Sequence, residues 1–198
     1  MNLQNKIWTT ISLINWGCEY LLSKNIANAK LEVEWFLCSI LNCKRIDLYV
    51  QFEQPLMKSE LAKFKIFIRR RANGEPFQHI IGKSDFYGRD FIVNKNVLVP
   101  RPETELIIEI LRKQKKIEKV LEIGTGSGCL AITMELENIS SSIIATDISK
   151  NAIIVAEQNL ESYNCKNIEL KLHNFLQTKI NSNNLLCIYY LNCLIHQF

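Results

Sequence analysis

VLEIGTGSG, residues 120–128, is an apolar strand that runs into a glycine-rich turn and then opens a helix. Gly124 and Gly126 allow the backbone to turn sharply and a ligand to approach it closely, and Gly128 allows the start of the helix to pack tightly on the strand. A glycine turn alone is weak evidence, because tight turns also use glycine for shape. Its meaning depends on the elements around it.

The spacing of the glycines indicates which cofactor the turn would hold. Dinucleotide-binding folds use G-x-G-x-x-G, in which the third glycine falls one residue later and suits a pyrophosphate. Glu122 would repel a pyrophosphate, whereas its carboxylate suits a cationic ligand such as a sulfonium that carries an amino-acid ammonium group. We therefore predict that the turn, with Thr125 and Ser127, binds S-adenosyl-L-methionine.

A carboxylate follows the next predicted strand. Residues 143–146, IIAT, form a short apolar run, and Asp147 comes directly after it. An acid at this place can accept hydrogen bonds from the two vicinal hydroxyls of a ribose. The alternative is an N-cap for the following helix, although Ser149 is better placed for that. We predict that Asp147 binds the ribose of the cofactor.

The end of the third predicted strand carries two further candidates. Asn174 can bond the amino group of an adenine, and Phe175 can stack beside the ring. The alternative is an ordinary turn with a core anchor, which is common for an Asn-Phe pair. We keep the adenine role for both residues as a prediction.

The first part of the chain has a different pattern. Apolar residues recur at helical spacing over residues 7–71, with almost no glycine, which predicts a small helical bundle. Gly74 and Pro76 end its last helix, because glycine fits a left-handed cap and proline cannot continue a helix. The apolar faces expected to form a core of their own carry Trp35, Phe36, Leu61 and Phe64.

Strands and helices alternate after a predicted hairpin. Residues 78–86 and 90–99 are β-branched and aromatic runs around a Tyr-Gly-Arg turn. The segments that then alternate are helix 103–111, strand 120–123, helix 129–136, strand 143–146, helix 150–160 and strand 168–172. This order predicts a parallel sheet with helices on both faces.

The predicted fold is α/β: an N-terminal helical bundle, a β-hairpin hinge and an incomplete Rossmann-like methyltransferase domain with a parallel sheet. The expected domains are residues 1–74, a hairpin linker at 75–101, and 102–198. Within the last, residues 181–198 form an aberrant tail without a recognisable pattern. We expect residues 185–191 to cover the exposed edge of the strand at 168–172 as an additional strand.

Composition bounds the kind of protein. The chain has 198 residues, 47% of them apolar, which is enough for one good core or for one small domain and part of another. Its 7 cysteines are dispersed without a C-x-x-C pair, so we expect reduced thiols and no metal site. No signal peptide or membrane span is apparent, and we expect a cytoplasmic protein. A net charge of +4 leaves an RNA-binding role for the basic runs at 69–71 and 112–116 as a minor alternative.

Four segments together resemble one family. They are EPFQHIIG at 75–82, FYG at 86–88, VLVPRPETE at 97–105 and EIGTGSG at 122–128. They are similar to segments of the peptide chain release factor N5-glutamine methyltransferases, and the match runs to about Phe175. The Arg-Pro-Glu-Thr-Glu segment is the most specific part, because most other methyltransferases lack it.

The resemblance implies S-adenosylmethionine-dependent methylation of N5 of a glutamine side chain in a peptide chain release factor. It also implies an N-terminal domain of about five helices that docks the release factor. The glycine turn at 124–128 would hold the methionine part of the cofactor, Asp147 the ribose, and Phe175 the adenine. Phenylalanine is a departure at the last position, where tryptophan is usual in the family.

The serious departure lies farther along the chain. The family orients the glutamine amide with an Asn-Pro-Pro-Tyr loop, and this sequence contains none. We therefore expect no catalytic residue here, and a chain truncated before that loop that binds the cofactor without transferring its methyl group. Two alternatives stay open: a non-catalytic remnant that binds the cofactor or a partner, and an adenine-N6 nucleic-acid methyltransferase, which the Arg-Pro-Glu-Thr-Glu segment and the small charge disfavour.

Overall fold

The computed structural model of the chain describes residues 7–174 and the backbone of residues 186–189. It divides into two compact units, Met1–Ile81 and Gly82–Phe198. Among the described residues, no helix has the length and apolar character that a membrane crossing requires.

The first unit is helical, as the apolar spacing predicts. Its helices are α1 (Thr10–Leu22), α2 (Ala29–Leu41), α3 (Arg45–Val50), α4 (Lys58–Ala72) and α5 (Phe77–Ile81). Helix α1 begins at a capping box in which Thr9 and Ser12 satisfy each other's backbone N–H groups. Helix α4 ends at Ala72, and Gly74 follows with a φ of +89°, in agreement with the predicted stop.

The core of the helical unit contains three of the four predicted residues. Phe36 and Phe64 are buried, and Leu61 packs partly buried against the same cluster. The prediction for Trp35 is wrong, because its side chain is 48% exposed. Phe36 and Leu37 follow Val33 by three and four residues and share its buried face, whereas Trp35 follows it by two residues and points about 200° away.

The hairpin in the structure is shorter than the one that the sequence predicts. Residues 78–81 belong to helix α5, so the strand prediction there is wrong, and the strands are β1 (Lys83–Phe86) and β2 (Arg89–Ile92), which pair antiparallel. Phe77 and Ile80, three residues apart, pack on the helical core, and this packing overrides the β-branched run. Tyr87 and Gly88 make the turn with φ of +54° and +69°.

The second unit confirms the alternating pattern. Its further elements are α6 (Pro102–Arg112), β3 (Val120–Ile123), α7 (Cys129–Leu136), β4 (Ile143–Asp147), α8 (Lys150–Tyr163), β5 (Ile168–Leu172) and β6 (Leu186–Tyr189). The strands form one parallel sheet in the order β5-β4-β3-β6. This is the start of a doubly wound sheet, whose strand order reverses between β3 and β6.

The partner of the last strand differs from the prediction. Strand β6 pairs with β3 and not with β5, so the expected cover of the β5 edge is wrong. Strand β3 is largely buried, and an open edge there would expose unpaired backbone groups beside the core. Strand β5 tolerates an edge position because its exposed face carries Glu169 and Lys171, which form an ion pair at 3.0 Å.

Candidate cofactor site

The glycine turn joins β3 directly to α7. Gly124, Gly126 and Gly128 have φ of +80°, +56° and +78°, a region in which residues with a Cβ are strained. A Cβ at Gly128 would lie 3.3 Å from both Ala156 Cβ and Ile132 Cδ1. The close neighbour of Gly128 is therefore helix α8 as well as its own helix, and not the strand as predicted.

Hydrogen bonds fasten the turn to the tip of the neighbouring strand β4. The backbone N–H groups of Gly124 and Thr125 both donate to the carbonyl of Thr146, at 2.8 and 2.9 Å. The N–H of Gly126 donates to Asp147 Oδ2 at 3.0 Å. The turn and the acid thus form one hydrogen-bonded assembly at the carboxyl ends of two adjacent strands.

Asp147 faces the turn and does not cap the next helix. Its other carboxylate oxygen, Oδ1, accepts a hydrogen bond from the N–H of Ser149 at 2.9 Å. The N-cap of α8 is Ser149, whose hydroxyl accepts from the N–H of Ala152 at 3.3 Å. Asp147 is 8% exposed, and each of its oxygens keeps a lone pair for a further donor. The ribose contact stays a prediction.

Glu122 is fully buried against the turn. Its Oε2 accepts a hydrogen bond from the Thr125 hydroxyl at 2.8 Å, and its Oε1 has no partner among the described residues. Burial raises the pKa of Glu122 from 4.5 to about 7; the bond from Thr125 opposes this, and the negative charge of Asp147 adds to it. A positive charge brought near this carboxyl would favour its ionised form.

The remaining residues predicted to contact the cofactor are Thr125, Ser127, Asn174 and Phe175. Thr125 and Ser127 are buried, at 3% and 2% exposure, so their side chains lie inside the turn. Asn174 follows β5 and is half-buried. Phe175 lies outside the described residues. The adenine contacts of Asn174 and Phe175 therefore stay predictions.

Sequence reasoning missed a buried asparagine that supports the turn. Asn159 on α8 has no exposed surface and accepts a hydrogen bond from the N–H of Ile92 at 2.8 Å. Its side-chain amide donates to the carbonyls of Ile92 and Ser127, at 3.0 and 2.8 Å. The available signal was its position, because Asn159 continues the apolar stripe of Ala152 and Ala156, where a polar residue needs internal partners.

Two family models match the chain. Residues 12–82 match the model described as PrmC N-terminal domain. Residues 101–191 match the model described as ribosomal protein L11 methyltransferase (PrmA). The two matched ranges fall within the helical unit and the sheet-containing unit, apart from one residue.

Individual proteins are also similar to this chain, two of them over most of its length. The release factor glutamine methyltransferase of Geobacter sulfurreducens is 38% identical over 167 residues, which cover 84% of this chain and 59% of that protein. The protein of the same name from Chlorobaculum tepidum is 34% identical, over 81% of this chain and 57% of that protein. A crystal structure of ribosomal protein L11 methylase from Lactobacillus delbrueckii subsp. bulgaricus is 27% identical with a TM-score of 0.35, over 40% of this chain and 42% of that one. The chain thus spans somewhat more than half the length of these two curated relatives.

Proposed function

This chain belongs to the family of release factor glutamine methyltransferases, and on that premise we propose that it forms the cofactor-binding part of an S-adenosylmethionine-dependent enzyme. The proposed reaction methylates N5 of a glutamine side chain in a peptide chain release factor. The observation that carries the cofactor-binding part of the proposal is the hydrogen bond from Gly126 to Asp147, because it fixes an acid at the glycine turn.

The residues at the turn fit this cofactor. The turn at 124–128 would hold the methionine part, Asp147 the ribose, and Asn174 with Phe175 the adenine. Glu122 supports the choice of a cationic ligand, because a nearby positive charge would stabilise the ionised form of a buried carboxyl whose Oε1 has no hydrogen-bond partner among the described residues. When bound, S-adenosylmethionine supplies an electrophilic methyl group on its sulfonium. The chain's own residues bind and orient the donor of that group.

The other parts of the chain have proposed roles as well. The helical domain at 1–74 is proposed to dock the release factor, with residues 75–101 as the linker to the methyltransferase domain at 102–198. The sequence contains no Asn-Pro-Pro-Tyr, so cofactor binding and not glutamine orientation is assigned to these 198 residues. A cytoplasmic location agrees with the free thiols at the described cysteines.

Calorimetric titration with S-adenosylmethionine tests the cofactor assignment. Asp147→Asn keeps the size of the side chain and removes its charge, and we expect on the order of tenfold weaker binding or more. Asp85→Asn is the matched control, because Asp85 is an exposed acid on β1 of the same unit. Equal affinity of the wild type and Asp147→Asn, with unchanged circular dichroism, would exclude the ribose role.

A methyl-transfer assay tests the division of labour. The purified 198-residue polypeptide is incubated with a release factor and radiolabelled S-adenosylmethionine. We expect cofactor binding without transfer, because the groups that orient the glutamine amide are not in this sequence. Transfer to the glutamine by this polypeptide alone would show that those groups lie within it.

A further inference from the structure

An apolar groove of about 430 Å³ lies between helices α1 and α4 of the helical unit. Trp16 and Tyr20 line it from α1, and Leu61 lines it from α4. Its volume is in the range of binding pockets, and its lining is mostly apolar and aromatic. The proposed cofactor site uses none of these residues, and the docking role proposed for the helical domain does not yet name a surface for the contact.

Three aromatic rings line the groove on the side of α1: Trp16 and Tyr20 on the helix, and Trp8 just before it. Trp16 and Tyr20 stack with ring centroids 5.4 Å apart and planes 8° apart, and Trp8 meets Trp16 edge-on at 6.0 Å. Tyr20 remains 36% exposed although a core lies beside it. Stacking fixes the rings in place, so this wall offers a preformed apolar surface at little entropic cost.

The α4 wall carries a row of cations. Lys58, Lys65 and Arg69 lie on one face of the helix, since seven and eleven residues are close to two and three turns. All three are exposed, and none forms an ion pair within the part of the chain that the structure describes. By contrast, Arg70 and Arg71 of the same basic run bind Glu75 and Glu32. The cations of the row are spread over roughly 16 Å of helix.

The distribution of charge identifies the kind of occupant. A single-chain amphiphile has its charge at one end, whereas this groove offers cations along its length. A helix with apolar residues at i, i+3 or i+4 and i+7, and acids along one flank, matches both walls at once. The segments outside the described residues, 1–6, 175–185 and 190–198, contain no Asp or Glu, so they do not supply those acids.

We propose that this groove docks an acidic amphipathic helix of another polypeptide. Apolar anchors of the helix fill the space between the aromatic wall and Leu61, and its acids pair with Lys58, Lys65 and Arg69. The inference concerns the helical unit alone and does not rest on methyl transfer.

A fluorescein-labelled peptide of about 18 residues tests the proposal with the full chain, because a helix of that length spans the groove. The peptide carries leucines at helical spacing with glutamates on one flank. One control peptide has lysines in place of the glutamates, and another has the same composition in scrambled order. We expect binding of the first peptide alone, weakening between about 50 and about 500 mM NaCl as the charges are screened.

Protein variants locate the binding. The double change Lys65→Glu with Arg69→Glu should weaken binding on the order of tenfold or more, and Ala62→Glu, an exposed position in the groove lining, should also weaken it. Lys63→Glu is the matched control, because Lys63 is exposed on α4 but does not line the groove. Far-UV circular dichroism confirms that each variant folds.

Three results would overturn the proposal. The first is equal binding of the lysine-bearing or scrambled peptide. The second is wild-type affinity in both groove variants. The third is a single-stranded RNA oligonucleotide or a fatty acid that displaces the peptide and binds more tightly, since this would assign the groove to that class of ligand.

Discussion

Replacement of Glu122 by glutamine should change how the stability of the protein depends on pH. Glu122 is fully buried, and burial raises its pKa from 4.5 to about 7. The native state therefore holds a proton that the unfolded chain releases at lower pH. The contribution of this proton to the free energy of unfolding is complete below pH 4.5, and it is lost as the pH rises through 7.

The size of the effect follows from the shift in pKa. Each unit corresponds to about 1.4 kcal/mol, so the loss in the wild type between about pH 5 and about pH 8 is roughly 2 to 3 kcal/mol. Glutamine has nearly the same shape, stays neutral, and can accept the Thr125 hydroxyl bond that Glu122 Oε2 accepts. The free energy of unfolding of Glu122→Gln, relative to the wild type, should therefore rise by that amount across this range.

Urea unfolding at several pH values, followed by circular dichroism, measures the difference. The control is Glu157→Gln, because Glu157 is an exposed acid on α8 of the same unit. The control should follow the wild type at every pH. A stability difference between Glu122→Gln and the wild type that does not change with pH would refute the reasoning, because it would mean that the buried carboxyl is ionised throughout.

Three further changes test how the two units are built. Gly128→Ala should destabilise the protein by about 1 kcal/mol or more beyond Gly82→Ala, since both have φ of +78° but only the Cβ at 128 meets neighbours at 3.3 Å; equal losses in urea unfolding would exclude the packing effect. Asn159→Ala should lower the free energy of unfolding by about 2 kcal/mol or more and weaken S-adenosylmethionine binding, because it leaves buried backbone groups of Ile92 and Ser127 unpaired. The control Asn151→Ala, at an exposed position on the same helix, should change neither quantity. A fragment of residues 1–81 should unfold cooperatively, and its free energy of unfolding should exceed that of a fragment of 1–73 by about 3 kcal/mol, because α5 adds the buried Ile80 to the core. Equal thermal stability of the two fragments would show that α5 is dispensable.

Local pattern was sufficient for most of the second unit. The bounds of β3, α7 and β5 follow from the sequence alone, because each element is a short apolar or amphipathic run with a turn signal at its end. The same holds for the glycine turn, where positive φ is a property of the backbone that glycine alone adopts cheaply. The place of Asp147 beside the turn also follows, since parallel strands joined by a helix lie side by side with their carboxyl ends together.

Long-range packing decided what the pattern left open. Residues 78–81 form a helix and not a strand because Phe77 and Ile80 pack on a core formed by residues distant in the sequence. Strand β6 pairs with β3 because pairing satisfies backbone groups that would otherwise be unpaired beside the core, whereas the charged, exposed edge strand β5 tolerates water at its edge.

The site shows the same division between sequence and tertiary structure. The sequence by itself determined which residues form the turn and which acid stands at the end of the next strand. Only the tertiary structure decided that Glu122 is cut off from solvent and that Asn159 supports the turn through Ser127. The reason is physical: a turn depends on the φ and ψ of a few consecutive residues, whereas burial and buried hydrogen bonds depend on atoms contributed by elements far apart in the chain.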